Sequence, residues 1–301
     1  MAYTVSDEIN RKKVNQMSNF DYNATPHHLQ YNLRQLRQIC VQCYQACAPE
    51  CLKKRRNVRA CKVSDVSILI LLVLQAQLGM KSQRKFYRMC QLFMRSKGLE
   101  RTRFFRRARY LIPLLKLIHQ WMTRQFWHDD IAVIDSFPLP LCLPARNYRA
   151  KTLTGIADIS YTPAKKMWFY GFKVHLLATL SGFIIHYVVT PASVHDSQVA
   201  EELLENCPCS YILADLGYLS ESLKQEMAQK GYCFWTPLRQ NMPNAKKHNH
   251  WKLLAQRRTI ETRFSTLCAI FDIERPLARS LVGIELWLEQ IIWAYNLRFL
   301  N

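Results

Sequence analysis

Two four-residue runs, each stopped by an aspartate, constrain this chain more than any other feature. Ile131-Ala132-Val133-Ile134 runs into Asp135-Ser136-Phe137-Pro138, and Tyr211-Ile212-Leu213-Ala214 runs into Asp215-Leu216-Gly217-Tyr218. Short, continuously apolar runs are the mark of central strands in a sheet covered on both faces. A carboxylate at the end of such a strand is poorly placed for packing, and here two strands deliver one. Between them, Met167 to Leu180 and Phe183 to Thr190 read as a hairpin turning at Ser181-Gly182, antiparallel to the first strand. Helices over Ser197 to Glu205, with Asp196 near its start, and over Glu221 to Gln229 follow. A strand over Tyr232 to Trp235 completes the order β-β-β-α-β-α-β, and a later helix follows around Thr259 to Phe271. That last helix carries Glu261.

Charge divides the chain. Of its 42 Lys and Arg and 22 Asp and Glu, which leave a formal net charge of +20, residues 1–110 hold 22 basic and only 6 acidic ones. Such a surplus predicts a polyanionic partner, and its asymmetry predicts two modules, 1–126 and 127–301. Within the first, Val66 to Leu78 is too uniformly apolar for a surface helix, Ser64-Asp65 can cap it, and Gly79 breaks it. The helix after Ser82 carries Arg84, Lys85 and Arg88 outward, with Phe86, Met89, Cys90 and Phe93 at the spacing of an inward face. The pair reads either as a helix-turn-helix, its second helix in the major groove, or as an ordinary helical hairpin with a solvated basic face. The next helical stretch, about Thr102 to Trp121, opens with Arg103, Arg106, Arg107 and Arg109, and Pro113 should kink or divide it. Arginines at a helix start oppose the macrodipole, so phosphate contact competes with plain solvation as their reason.

The longest aliphatic run, Ile68 to Leu74, is far short of the about 18 residues that span a bilayer. Polar Met1 to Asn10, with Asp7 and Glu8, does not resemble a secretory signal. The eleven cysteines are scattered, which suits reduced thiols in a cytoplasm. Cys40, Cys43, Cys47 and Cys51 recur at helical spacing, but a single C-x2-C without a matching pair favours buried thiols over zinc or an iron–sulfur cluster. His195 beside Asp196 lacks any nucleophile motif and reads as a loop histidine beside a helix cap. Lys165, Lys166 and Lys173 at the hairpin suit either phosphate contacts or a solvated strand edge.

The stretches Val133 to Ser136, Tyr170 to His175, Pro191 to Asp196, Ala214 to Tyr218 and Arg257 to Phe264, in that order, resemble the DDE-type insertion-sequence transposases. The resemblance covers residues 127–301, and more loosely the part from Lys62. It implies an α/β fold: an RNase H-like mixed sheet flanked by helices, preceded by a helical, helix-turn-helix-like DNA-binding region. It implies Asp135, Asp215 and Glu261 as the three acids, 80 and 46 residues apart, so that only folding brings them together. Around the third acid Arg257 matches the family pattern, whereas Leu254 and Cys268 stand where relatives place Tyr and Lys.

Phosphodiester chemistry asks for an activated oxygen on one side of phosphorus and a stabilised one on the other, which two Mg²⁺ ions held by a few carboxylates supply. The resemblance implies Mg²⁺, with Mn²⁺ as a substitute; Asp135 would bridge the ions and Asp215 and Glu261 would each hold one. Taken singly, Asp135 and Asp215 could instead cap turns, and Glu261 could merely pair with Arg257 at i−4. Arg84, Lys85, Arg88, Arg103, Arg106, Arg107, Lys173 and Arg257 are the candidate DNA contacts. The expected function is transposition. This means binding double-stranded DNA at terminal inverted repeats, cleavage and strand transfer into target DNA, by a homo-oligomer on DNA at the nucleoid and without a membrane. The rival readings are an RNase H-fold nuclease without strand transfer and a non-catalytic DNA-binding protein.

Overall fold

The first aspartate strand outruns its apolar segment. In the computed structural model, which describes residues 33–58, 61–93, 99–126 and 129–300, strand β1 extends over Ile131–Pro140. Met1 to Asn10, read above as unlike a secretory signal, lies outside the described residues. Strand β2 is Asp158–Thr162, β3 Met167–Thr179, β4 Ile184–Pro191, β5 Tyr211–Leu213 and β6 Cys233–Trp235. β1 runs parallel to β5 only from Ile131 to Val133, yet stays antiparallel to β3 out to Pro140, opposite Gly171. Past Val133 it has a strand on one side only, which is where prolines 138 and 140 are tolerated. Asp135 therefore stands not at the strand's end, as the sequence predicts, but where the sheet splits between β1 and β5.

β2 and β4 share the outer edge of β3, β2 along Met167–Gly171 and β4 along Phe172–Ala178. Sequence reading misses β2, whose short, half-exposed pattern carries no clean alternation. Without it the order is β4-β3-β1-β5-β6, with β3 alone running against the rest. This is the RNase H-like arrangement.

Period-two alternation sends Ala132 and Ile134 into the large core and Val133 to the opposite face, against Leu213 and Ile260. Ile260 belongs to a long helix, Trp251–Phe271.

The helical part comprises α1 (Leu33–Cys47), α2 (Asp65–Gln77), α3 (Gln83–Phe93), α4 (Arg101–Tyr110) and α5 (Ile112–Phe126). Ser64 caps α2 by accepting from the Ser67 N–H at 3.1 Å, and Gly79, at φ +60°, takes the left-handed turn that ends it. α4 and α5 are divided at Leu111, one residue before the turn holding Pro113, as expected. After the sheet's middle strands come α6 (Glu221–Gln229), α7 (Trp251–Phe271) and α8 (Leu281–Asn296). The predicted Ser197–Glu205 helix is instead a 3-10 turn, Asp196–Val199, followed by one helical turn, Ala200–Leu203. α7 begins eight residues earlier than the sequence pattern indicates.

α8 is buried on every side from Leu286 to Asn296, as a helix at the centre of a core must be. It packs on α2 and α5, and Asn296 clamps the β4 backbone, accepting from the Ile184 N–H at 3.0 Å and donating to its carbonyl at 2.8 Å. One apolar core consequently runs from Leu36 through Leu72, Leu115 and Val174 to Trp293, across the change in sequence character near Phe126. Among the described residues no helix is long and apolar enough to cross a membrane.

Candidate active site

The alternation that puts Val133 beneath α7 puts Asp135, two residues on, on the same face. On α7, Leu253, Arg257, Ile260 and Phe264 recur at helical spacing along the stripe facing the sheet, where Phe264 meets Phe137 edge-on. Arg257 is therefore held inward, 12% exposed, beside the split. Its Nη2 donates to Asp135 Oδ2 at 2.7 Å and lies 3.2 Å from Asp215 Oδ2, while Nη1 donates to Glu261 Oε1 at 2.8 Å. The three acids named from sequence thus meet, from three separate elements, on one guanidinium. Asp135 is the most enclosed and Glu261 the most exposed. The i−4 pairing of Glu261 with Arg257 and its membership of the acid group hold together.

Burial pushes the Asp135 carboxyl up to about 7, with Asp215 and Asp196 adding to the rise, although Arg257 and the Ser136 N–H oppose it. Three carboxylates share one cation there, an oxygen donor set short of positive charge, which is the chemistry a hard divalent ion takes. Arg257 presently stands among them. Among the described residues no three His, Cys, Asp or Glu side chains are gathered closely enough to hold an ion as they stand.

The candidate DNA contacts divide in two. Arg84, Lys85 and Arg88 on α3, and Arg103 and Arg106 on α4, are exposed. Inward on α3 are Phe86 and Tyr87, with Met89 and Cys90 half-buried. Arg107 turns in: it donates to the Val63 carbonyl and to buried Asp65, which also receives Arg55. Lys173 pairs with Asp196 at 2.8 Å, and Arg257 with the acids. Lys165 pairs with Glu274. Cys40, Cys43 and Cys47 lie on α1, the first two buried, whereas Cys51 is exposed in a separate turn. His195 caps the 3-10 turn, accepting from the Ser197 N–H.

Sequence reading passed over a closed loop leading into α7. Asn249 ties its ends, accepting from the Leu238 N–H and donating to the Leu238 carbonyl, both at 2.8 Å, and His248 stacks on Trp235 at 5.7 Å. The loop and first turn of α7 expose Arg239, Lys246, Lys247 and Trp251, with no acid between 236 and 252. Its signal was the basic run Lys246-Lys247-His248.

A mixed sheet of this order, with three carboxylates drawn to the split between its central strands, defines a protein of the RNase H-like class. Residues 127–281 match the family model described as Transposase DDE domain, and the chain belongs to that family. No curated protein matches the sequence. Among solved structures the chain is similar to the piggyBac transposase in a synaptic complex with hairpin DNA, at 13% identity and a TM-score of 0.45, over 87% of this chain and 75% of that one. It is also similar to a pre-cleavage Mos1 transpososome, at 11% identity and a TM-score of 0.22, over 89% and 96%.

Proposed function

We propose that the protein is a transposase that binds the terminal inverted repeats of an insertion sequence, cuts at the element ends and joins a 3′-OH to target DNA. The observation that carries this reading is the meeting of Asp135, Asp215 and Glu261 on Arg257 in a member of the DDE family. Asp135, Asp215 and Glu261 would hold Mg²⁺, or Mn²⁺ in its place. When bound, such ions stabilise negative charge on the attacking and leaving oxygens of a phosphodiester. Arg257, which pairs with all three carboxylates, could instead donate to a phosphate oxygen of the substrate once those carboxylates held ions. The buried setting of Asp135 keeps bulk water from screening these charges.

DNA is held by the exposed basic residues of α3 and α4, in the region 1–126, and by the loop before α7, whose Arg239, Lys246 and Lys247 suit phosphates and whose Trp251 offers a base a stacking face. Two bound ends and a target require more than one copy of the chain on DNA.

The test separates joining from cutting. Full-length protein receives precleaved ends and a supercoiled plasmid in Mg²⁺ or Mn²⁺. Covalent end-to-plasmid products, absent with Asp135→Asn, are the expected result. Efficient hydrolysis with no joined product assigns the site to a nuclease on the same fold, and neither activity assigns the chain to DNA binding alone.

A further inference from the structure

A fourth carboxylate lies against the acids and has no part in the reading above. Asp196, first residue of the 3-10 turn after β4, accepts from Lys173 Nζ at 2.8 Å through Oδ1 and from Ser136 Oγ at 3.3 Å through Oδ2. Ser136 follows Asp135 and donates its N–H to Asp135 Oδ1 at 2.8 Å. The same Oδ2 is packed on Gly217, two residues after Asp215, so closely that a Cβ there would come within 2.8 Å of it. One carboxylate therefore touches the neighbours of both aspartates, one within β1 and the other just after β5. Its footing is rigid. His175 Nδ1, 3.9 Å from Asp196 Oδ1, shares a hydrogen bond with the Tyr218 hydroxyl at 3.1 Å, and its Nε2 one with Thr190 Oγ1 at 3.0 Å. His175 and Tyr218 are fully buried, and burial holds His175 neutral, down to about 4.

A salt bridge serving stability alone needs neither the Ser136 bond nor a glycine two residues from an acid. We propose that Asp196 is a positioning residue for the DDE site: by bonding Ser136 and Lys173 and seating on Gly217 it fixes the separation of Asp135 and Asp215 before DNA or ions arrive. The inference rests on the acid assignment proposed above. Partners that orient liganding groups are worth about 10- to 100-fold in ion affinity or activity when removed, and the same scale applies here.

Two measurements on the full chain test it: Mn²⁺ binding by calorimetry without DNA, and single-turnover cleavage at saturating DNA, each beside DNA affinity and a thermal unfolding curve. Asp196→Ala should weaken Mn²⁺ binding and slow cleavage by about tenfold or more, with DNA affinity within about twofold of wild type. Asp196→Asn, whose oxygen still meets Lys173 and whose amide still meets Ser136, should recover most of both. Gly217→Ala should reproduce the loss by displacing Asp196, and should add little to Asp196→Ala, because the two act through one contact. Wild-type Mn²⁺ affinity and rate in folded Asp196→Ala would overturn the inference. So would an Asn variant as impaired as the Ala one, since the charge would then act directly, or a loss confined to DNA affinity, since Lys173 and Asp196 would then serve substrate binding. A wild type without ion-dependent cleavage refutes the acid assignment and this inference with it, whereas wild-type ion-dependent cleavage left unchanged by Asp196→Ala overturns this inference alone.

Discussion

Asp135 shows how much one residue can be asked to bear. Burial raises its carboxyl from 3.8 to about 7 against the pull of Arg257, so between those pH values the folded chain binds a proton the unfolded chain has lost. Stability contributed by that proton is full below about pH 4 and falls as pH rises towards 7 and above. The effect is on the order of a few kcal/mol at most. Asp135→Asn cannot titrate, so its Tm should decline less than that of wild type between pH 5 and pH 8 in chelator; parallel curves would contradict the buried, ionising carboxyl. The residue was legible in sequence because an apolar run that stops in Asp is conspicuous within four residues. Arg257 was legible as the i−4 neighbour of Glu261, as a match to the family pattern and as a candidate DNA contact; that its guanidinium also reaches Asp135, 122 positions away, is tertiary. Asp196 was readable only as a helix start, because its partners come from β1, β3 and the segment after β5.

Elements show where pattern reading succeeds and where a single ion pair redirects it. The Ser64 cap, the apolar body of α2 and the break at Gly79 are encoded within the helix and were all found there. Arg107 was grouped with exposed arginines on α4 because helical spacing alone does not tell which basic residue has a buried acid opposite. That acid, Asp65, is 3% exposed at its side chain and is met by Arg55 Nη1 and Arg107 Nη2, each at 2.5 Å. Burial tends to raise its carboxyl, yet the hydrogen bonds and charges of the two guanidiniums prevail and hold it below the ordinary carboxylate range. Asp65 so fastens the segment before α2 and the end of α4 to the start of α2. Removing one partner of an enclosed ion cluster costs about 3–5 kcal/mol because the remaining charges stay behind; with both arginines partly wetted, Asp65→Ala should cost about 3 kcal/mol, read from the urea midpoint. A change under about 1 kcal/mol would make the cluster ornamental, and the Arg107→Ala variant should follow the same direction with a smaller loss.

The whole molecule joins a basic helical face to a carboxylate site through one core. Reading the sequence by composition found the charge boundary but not the joint, because α8, the helix that packs on α2 and α5 and clamps β4, lies at the far end of the chain and shows only as an apolar run. A chain ended near 126 would leave those buried faces bare, so the proposed DNA binding is tested on the full protein. The basic excess in residues 1–110, 22 Lys and Arg against 6 Asp and Glu, would set how such binding responds to salt. Each phosphate neutralised contributes about −0.9 to the slope of log K against log salt concentration. If Arg84, Lys85 and Arg88 on the exposed side of α3 each meet a phosphate, replacing all three with Gln should flatten the slope by about 2.7 and weaken duplex binding at low salt. The ion-dependent cleavage rate at saturating DNA should stay near wild type, because none of the three touches the acids. An unchanged slope would move the DNA off α3. A lost cleavage rate with an unchanged slope would mean that α3 acts on the site through the shared core rather than on the DNA.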